Sequence, residues 1–488
     1  MSINFLIGGN DKTQVNFSAK TANRHGMIAG ATGTGKTVTL QILAENFSKI
    51  GVPVFLADVK GDLSGLAASG TMNEKIQSRI DTIKIENYAN HANPSLFWDL
   101  FAENGHPVHT TISEMGPLLL SNLLELNEVQ GGILYSAFAI ADDEGLLLLD
   151  LKDLRSMLSW MGKNAKTLSV EYGNISSSSL GAIQRRLLVL EQQGGENLFA
   201  EPALKLDDLM ITDFSGQGVI SIMDVTKLMH QSPKVYASFL IWLLAELYEQ
   251  LPEVGDAEKP KLVLFFDEAH LIFDRAPRSL IDKIEQVVRL IRSKGVGVYF
   301  ISQSPLDIPE DIMGQLGTKI QHALRAFTPK DKKNVKLVAD TFRENPELDT
   351  RSAITELKTG EALVSVLDDN GAPTPVERVL ICPPESRIGP LTTEERQQIM
   401  KRSPMKGRYD DDIDRESAYE ILKERAQQRM EADLLEKEAL EKAKAEKKPR
   451  TSNRQSYAES ITKSILRSVG SSLGRQIVRG IMKTLLGK

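Results

Sequence analysis

Eight consecutive residues near the start of the chain have the composition and spacing of a phosphate-binding loop. They fit the pattern G-x-x-x-x-G-K-[ST] and read Gly30-Ala31-Thr32-Gly33-Thr34-Gly35-Lys36-Thr37. The glycines let successive backbone N–H groups turn inward towards phosphate oxygens. A lysine at this position reaches the β- and γ-phosphates, and the hydroxyl that follows it holds Mg²⁺. The pattern predicts a nucleoside triphosphate site over residues 30–38, ending at Val38, with Thr37 as a metal ligand.

Two adjacent acidic residues follow an apolar run far downstream. The run Leu262–Phe266 has the character of a buried strand, and it is followed by Asp267 and Glu268. A strand that ends beside the phosphate loop would bring Asp267 to the bound Mg²⁺, and Glu268 to the attacking water. This is the chemistry of a hydrolase, with Asp267 as metal ligand and Glu268 as catalytic base. Two loop acids without a catalytic role are the alternative.

Further charged residues have two interpretations each. Arg325 lies in the apolar run His322–Phe327, and a buried arginine is costly unless an anion meets it. It is either part of a structural ion pair or an arginine finger that reaches the γ-phosphate site of a neighbouring subunit. Arg289 and Arg292, on the predicted helix after the two acids, are second choices for that role.

Charged residues also follow the second predicted strand and the acidic pair. Asp58, Lys60 and Asp62 fall at the carboxyl edge of the sheet, where metal, nucleotide and turn roles all stay open. A loop carrying the three residues Arg275, Arg278 and Lys283 is either a pore lining or a solvated charged loop.

The elements that must position these residues alternate between strand and helix. Strand patterns occupy 25–29, 51–58, 219–225, 262–266, 297–302 and 319–327, and a helical pattern covers 38–50. The alternation predicts an α/β fold with a mostly parallel sheet and helices on both faces. Residues 362–367 and 376–381, joined around Asp369-Asn370-Gly371, predict a closing hairpin.

The remaining segments differ in composition from this core. Residues 105–209 are leucine-rich and helical in pattern, without a convincing strand, which predicts a helical insertion into a core formed by 1–104 and 210–390. Half of residues 391–450 are charged, and a projecting helix is expected over 415–447. Residues 451–488 form a basic amphipathic tail. It packs on another helix or is disordered, lies on an anionic membrane, or contacts nucleic acid.

Composition restricts the class of protein. Of the 488 residues, 41% are hydrophobic and 25% charged, which is ordinary for a globular chain. The net charge of −6 combines +6 in residues 451–488, zero in 391–450 and −12 in the rest. An acidic body argues against nonspecific coating of nucleic acid but leaves room for a narrow basic channel. Cys382 is the only cysteine, and neither a secretory signal nor a spanning segment is evident, so a cytoplasmic protein is expected.

Taken together, these motifs are similar to those of a known family. In order and identity they resemble the bacterial HerA-like ATPases, of the HerA/FtsK superfamily of ring-forming motors, over about residues 20–385. The segments that carry the resemblance are His25–Gly30, Asp58–Asp62, Ser113–Leu120, Phe266–His270, Ser302–Gln303 and Leu324–Phe327. The resemblance implies a RecA-like core, a hexamer, and ATP hydrolysis coupled to translocation on double-stranded DNA.

The resemblance also implies roles for single residues. Gln303, at the exit of a buried strand, is expected to sense the γ-phosphate, with a loop-capping glutamine as the alternative; Lys36 and Arg325 would complete the catalytic set. Archaeal HerA proteins begin with a β-barrel domain, for which the first 24 residues are too few. We therefore do not expect partner recruitment through such a barrel, and the insertion or tail is the candidate protein-binding region. A nucleotide-gated assembly protein that acts on a protein or membrane is the competing function.

Overall fold

Twelve strands form one sheet in the computed structural model, which describes residues 3–255, 257–274, 278–411, 413 and 415–445. The strands are β1 (Asn4–Gly9), β2 (Gln14–Ser18), β3 (Gly26–Ala29), β4 (Val54–Asp58), β5 (Ser95–Asp99), β6 (His106–Pro107), β7 (Ile220–Asp224), β8 (Leu262–Phe266), β9 (Val296–Ser302), β10 (Thr318–Gln321), β11 (Glu361–Ser365) and β12 (Glu377–Ile381). Their order across the sheet is β2-β1-β12-β11-β10-β3-β9-β8-β4-β7-β5-β6.

The sheet has a parallel part and an antiparallel edge. The eight strands from β10 to β6 pair in parallel, whereas β2, β1, β12 and β11 pair antiparallel to their neighbours. Parallel strands need crossover connections, which the helices between them supply. The mostly parallel α/β sheet predicted from the sequence is thereby confirmed. The hairpin of β11 and β12 is confirmed as well, and Gly371 in its loop has a φ of 80°.

Seventeen α-helices lie in the described part of the chain. They are α1 (Lys36–Lys49), α2 (Glu74–Ile83), α3 (Ile112–Leu123), α4 (Glu128–Glu144), α5 (Leu151–Lys163), α6 (Ala165–Tyr172), α7 (Ser177–Leu190), α8 (Glu196–Leu198), α9 (Thr226–Gln231), α10 (Pro233–Gln250), α11 (His270–Phe273), α12 (Arg278–Ile291), α13 (Glu310–Met313), α14 (Pro329–Ala339), α15 (Thr350–Glu356), α16 (Thr393–Lys401) and α17 (Ala418–Ala445). None of the described helices is long and apolar enough to cross a membrane.

The central strands are buried on both faces because a hydrophobic core lies on each side. In β4, Val54 and Leu56 belong to the core that contains Phe47 of α1. Phe55 and Ala57, which alternate with them, belong to the core formed with α3–α5, α7, α10 and α12. Successive side chains of a strand point to opposite faces, so strands covered on both sides read as continuous apolar runs. This is why the central strands were visible in the sequence.

Two parts of the predicted element map were wrong. The strand expected over 319–327 ends at Gln321, because the backbone beyond it bonds elsewhere: Ala323 C=O accepts from Ala31 N–H at 2.9 Å, and Leu324 N–H donates to Ile354 C=O at 3.2 Å. The leucine-rich segment does begin with a strand, the two-residue β6, at the end of the sheet. The rest of that segment is mainly helical, as expected, and contains α3 to α8.

The chain divides into two compact units, residues 1–423 and 424–488. In the second unit the structure describes residues 424–445, which are helical, and their described side chains are exposed. The charged helix expected over 415–447 is therefore present as α17. The basic tail predicted over 451–488 lies outside the described residues.

A buried histidine, His25, holds the start of β3 against β9 and α12 through two hydrogen bonds. His25 precedes β3, and its Nδ1 accepts the Val298 N–H at 3.0 Å, so that its Nε2–H donates to the Val288 carbonyl at 2.8 Å. Because a protonated Nδ1 could not accept the Val298 N–H, the two bonds together require a neutral ring with its proton on Nε2. Burial lowers the pKa of His25 to about 4.

We expect His25 to make the free energy of unfolding depend on pH. Its folded pKa lies below its unfolded pKa, so its contribution is fully present above pH 6.5 and is lost as the pH falls towards 4. A shift of this size corresponds to about 3 kcal/mol. The measurement is urea unfolding across this range, together with NMR of ¹⁵N-labelled histidine rings. A His25 ring that titrates near its ordinary pKa would contradict the prediction.

Candidate active site

The glycine-rich loop of residues 30–35 joins β3 to α1 and is held from both neighbouring strands. Gly30 N–H donates to the Ser302 carbonyl of β9 at 3.2 Å, and Ala31 N–H donates to the Ala323 carbonyl beyond β10 at 2.9 Å. Gly30, Gly33 and Gly35 have φ of 153°, 76° and 120°, a region that residues with a Cβ rarely adopt. The loop therefore has the backbone of a phosphate cradle.

Lys36 is buried over this loop. Its Nζ donates to the Gly30 carbonyl at 2.7 Å and to the Ala31 carbonyl at 3.3 Å, and the residue is 5% exposed. Burial lowers the pKa of Lys36, while the charges of Glu268 and Asp267 raise it in part. The lysine of the loop and both acids of the distant strand therefore lie close enough for their charges to act on one another.

His322 supports the loop from behind and was not identified from the sequence. Its Nδ1 lies 2.9 Å from the Glu361 carbonyl, which can only accept, so Nδ1 carries the proton and Nε2 accepts from the Thr39 hydroxyl at 2.8 Å. Burial lowers the pKa of His322 to about 4, which is consistent with this neutral ring. A Cβ at Gly30 would lie 2.5 Å from the His322 Cβ. Glycine at position 30 is thus required by His322 as well as by φ.

Asp267 and Glu268 leave the carboxyl end of β8. Both are buried, and the Asp267 carboxylate accepts the Glu268 backbone N–H at 2.9 Å. Burial raises the pKa of Asp267 to about 7, with the neighbouring Glu268 charge adding to the effect and Lys60 opposing it. Asp267 is therefore a carboxylate that a bound cation would stabilise strongly.

Glu268 is held by three side chains from different elements. It forms an ion pair with Lys60, accepts a hydrogen bond from Gln303 Nε2 at 3.4 Å, and lies 3.2 Å from His270 Nδ1. Burial raises the pKa of Glu268, but the hydrogen bond and charge of Lys60 outweigh it and leave the pKa below its ordinary value. Gln303 can reach Glu268 because β9, which it follows, lies between β3 and β8.

The turn after β4 positions Lys60. The Asp58 carboxylate accepts N–H bonds from Lys60 at 3.2 Å, Gly61 at 2.7 Å and Leu63 at 3.0 Å, and Gly61 has a φ of 76°. Asp58 therefore serves the turn, one of the three roles left open by the sequence. Since β4 is paired with β8, this turn places Lys60 beside Glu268. The sequence did not predict this pairing.

The donor atoms around the loop fit Mg²⁺. Burial raises the pKa of Asp62, and the charge of Lys60 and the Thr37 hydroxyl oppose this only in part. Asp62 Oδ1 is buried without a hydrogen-bond partner among the described residues. Thr37, Asp62 and Asp267 offer the hard oxygen donors that Mg²⁺ prefers. Among the described residues no cluster of three or more His, Cys, Asp or Glu could hold a metal ion.

Arg325 is placed differently from the sequence prediction, and Arg278 and Lys283, which were predicted in a loop, lie on α12. Arg325 is exposed in the loop after β10, so the prediction of a buried arginine within a strand was wrong. Arg289 forms an ion pair with Glu285 one helical turn away, and Arg278 lies 3.8 Å from Asp282. Lys283 donates a hydrogen bond to the side chain of Gln286 at 3.0 Å. The backbone carbonyl of Arg292 accepts a hydrogen bond from Asn23 at 3.3 Å. Arg275 lies outside the described residues. Action of Arg325 on a neighbouring subunit stays a prediction.

Curated relatives are similar in sequence to most of this chain. "DNA double-strand break repair helicase HerA" of Sulfolobus acidocaldarius is 23% identical over 369 residues, and the protein of that name from Saccharolobus solfataricus is 25% identical over 373 residues. In both cases the alignment covers 74% of this chain and 65% of the relative. The chain therefore spans about two thirds of the length of these relatives.

Solved structures show the same fold at low sequence identity. The bacterial conjugative coupling protein TrwBdeltaN70, in its unbound monoclinic form, matches with a TM-score of 0.52 and 13% identity, covering 78% of this chain and 93% of that one. The plasmid coupling protein TrwB, in complex with the non-hydrolysable GTP analogue GDPNP, matches with a TM-score of 0.50 and 14% identity, covering 79% and 95%. A family model described as "Helicase HerA-like C-terminal" matches residues 4–488, nearly the whole chain, and the protein belongs to this family.

Proposed function

We propose that the protein is a Mg²⁺-dependent ATPase that works as a ring of subunits, a hexamer, and couples hydrolysis to movement along double-stranded DNA. The observation that carries the proposal is the convergence of Lys36, Asp267 and Glu268 in one buried site, although they come from elements far apart in the sequence. A loop shaped for phosphate and an adjacent carboxylate held in its charged form are what hydrolysis of a triphosphate needs.

Each residue of the site has a role in this proposal. Backbone N–H groups of residues 30–38 hold the phosphates, and Lys36 exchanges its carbonyl partners Gly30 and Ala31 for phosphate oxygens. Thr37 and Asp267 would hold Mg²⁺, which when bound neutralises charge that develops on the phosphates. Glu268, charged and buried, accepts the proton of the attacking water.

Two further side chains complete the proposed chemistry. Gln303 contacts Glu268 and lies between the acids and the glycine loop, where it reports on the γ-phosphate. Arg325 is exposed at the carboxyl edge of the sheet, a position from which it would act on the site of a neighbouring subunit. The single buried Cys382 suits the reducing cytoplasm.

Support for DNA as the substrate comes from the relatives. They are named DNA double-strand break repair helicases. The competing function, a nucleotide-gated assembly protein on a protein or membrane, is favoured by the acidic body and the exposed helix α17.

We expect duplex DNA to stimulate ATP hydrolysis both in the full chain and in a chain that ends at residue 450. The core motifs lie before that point, so stimulation should survive the truncation. The measurement is phosphate release with and without duplex. No stimulation of either chain by DNA would favour the assembly protein, and stimulation lost on truncation would assign DNA binding to the tail.

We expect Glu268→Gln to leave ATP bound while turnover falls by about 10²- to 10⁴-fold, because the amide cannot accept the proton of water. The readouts are the affinity for a fluorescent ATP analogue and the rate of phosphate release. Glu253→Gln, at an exposed position, is the matched control and should keep wild-type turnover. Normal turnover in Glu268→Gln would remove Glu268 from the mechanism.

We expect Lys60→Met to lower kcat about 10- to 100-fold with little change in KM, because Lys60 positions the Glu268 carboxylate. Lys60→Arg should restore part of the loss, since it keeps the charge. Lys49→Met is the matched control: its side chain is similarly exposed, 34% against 38%, and its ion pair is with Glu385. Equal kcat values in Lys60→Met and wild type would show that the ion pair has no role in turnover.

A further inference from the structure

An exposed aromatic ring stands among basic side chains outside the proposed active site. Phe327, in the loop between β10 and α14, is 85% exposed. The exposed lysines of α14 follow it: Lys330, Lys332, Lys333 and Lys336. We call Phe327 and these four lysines the Phe327 surface.

The one acidic residue of this segment is already engaged. The Asp331 carboxylate accepts the backbone N–H groups of Phe327 at 3.1 Å and Thr328 at 2.8 Å, and so caps the start of α14. With Arg325 included, residues 325–336 carry five basic side chains against this single acid. The rest of the body is acidic, since residues 1–390 sum to −12. A polyanion would thus be attracted to the Phe327 surface and repelled by most of the remaining body.

A cavity opens beside the ring. It has a volume of about 500 Å³, and its walls include Arg325, Phe327, Lys332 and Arg351, with Val335 and Leu357 on its apolar side. Arg351 forms an ion pair with Asp340 at 2.9 Å, whereas no ion pair of Arg325 or Lys332 occurs among the described residues. The cavity therefore combines an apolar surface with cations that are not neutralised by neighbouring acids.

This combination fits a ligand that has both phosphates and flat rings. Lysines pair with phosphate as point charges, and an exposed aromatic ring stacks on a base whatever its identity. Bases of a duplex are stacked on each other, so only an unpaired base presents a face to Phe327. In the proposed ring Arg325 faces the site of a neighbouring subunit, but it is not part of the Phe327 surface as defined. For Phe327 and the four lysines a second copy is the less suitable occupant, because lysine is depleted in interfaces between proteins. We infer that the Phe327 surface binds single-stranded nucleic acid.

This site is connected to the glycine loop through very few residues. The loop that carries Phe327 begins with His322 and Ala323, and these two support Gly30 and bond Ala31. A strand seated on Phe327 would therefore restrain the segment that holds the phosphate cradle. Single strands bound at the Phe327 surface therefore stimulate turnover through this connection, a consequence that rests on the proposed ATPase activity.

The direct test measures binding without reference to ATP. Fluorescence anisotropy with an oligo(dT) and with an abasic strand of the same length separates stacking from phosphate contacts. Phe327→Ala should weaken oligo(dT) binding about tenfold and leave abasic binding unchanged. Lys332→Gln/Lys333→Gln should weaken both ligands and reduce the slope of log affinity against log salt by about 1.4.

Matched controls come from other exposed positions of the chain. Phe214→Ala removes another fully exposed ring, and Lys163→Gln/Lys166→Gln removes two exposed lysines; neither should change binding. Unchanged oligo(dT) affinity in Phe327→Ala would overturn the inference. So would a change in oligomeric mass of that variant by sedimentation without loss of binding, which would make Phe327 a contact between copies.

Phosphate release then tests the connection to the ATP site. In Phe327→Ala we expect basal hydrolysis to be kept and stimulation by oligo(dT) to be lost. If wild type binds oligo(dT) through Phe327 but does not hydrolyse ATP, the proposed function fails while the binding site stands. If wild type hydrolyses ATP and stimulation persists in Phe327→Ala, the inferred connection fails while the proposed function stands.

Discussion

The site depends on the stabilisation of acidic groups that the fold removes from water. A lone carboxylate with this degree of burial takes up a proton instead of staying charged. Glu268 avoids this through Lys60, whereas Asp267, which lacks an ion pair of its own among the described residues, has a pKa of about 7. The pKa values of the two neighbours are therefore shifted in opposite directions for a structural reason. Glu268 is stabilised as a carboxylate that can accept a proton, and Asp267 is a carboxylate that a bound cation would stabilise.

This arrangement follows from the order of the strands. Lys60 leaves β4, Glu268 leaves β8, and Gln303 leaves β9, three strands that lie side by side, with the glycine loop on the next strand, β3. All four are parallel, so their carboxyl ends meet at one edge of the sheet, where ligands bind in open α/β folds. A change of strand order would separate these residues even if every local motif were kept.

The sequence predicted what depends on local pattern. The glycine loop, α1, and the strands β4, β8 and β9 were recognisable because their apolar runs and turn residues lie within short windows. His322 was missed because its partner Thr39 is 283 positions away, and nothing near either residue indicates the contact. The end of β10 was misplaced because of contacts that are likewise distant in sequence: the backbone groups of Ala323 and Leu324, just beyond the strand, bond to the glycine loop and to α15. β5 was missed because only three apolar residues separate Ser95 from Asp99.

The backbone at Glu268 has a consequence of its own. Its φ is 48°, a left-handed conformation that costs a residue with a side chain about 1–2 kcal/mol and that glycine adopts without strain. Replacement by glycine would also remove a buried charge. At this position glycine would thus favour the stability of the fold, whereas glutamate is needed as the proton acceptor of the proposed reaction. A screen for variants of higher thermal stability would therefore tend to select against Glu268 and so against ATP hydrolysis.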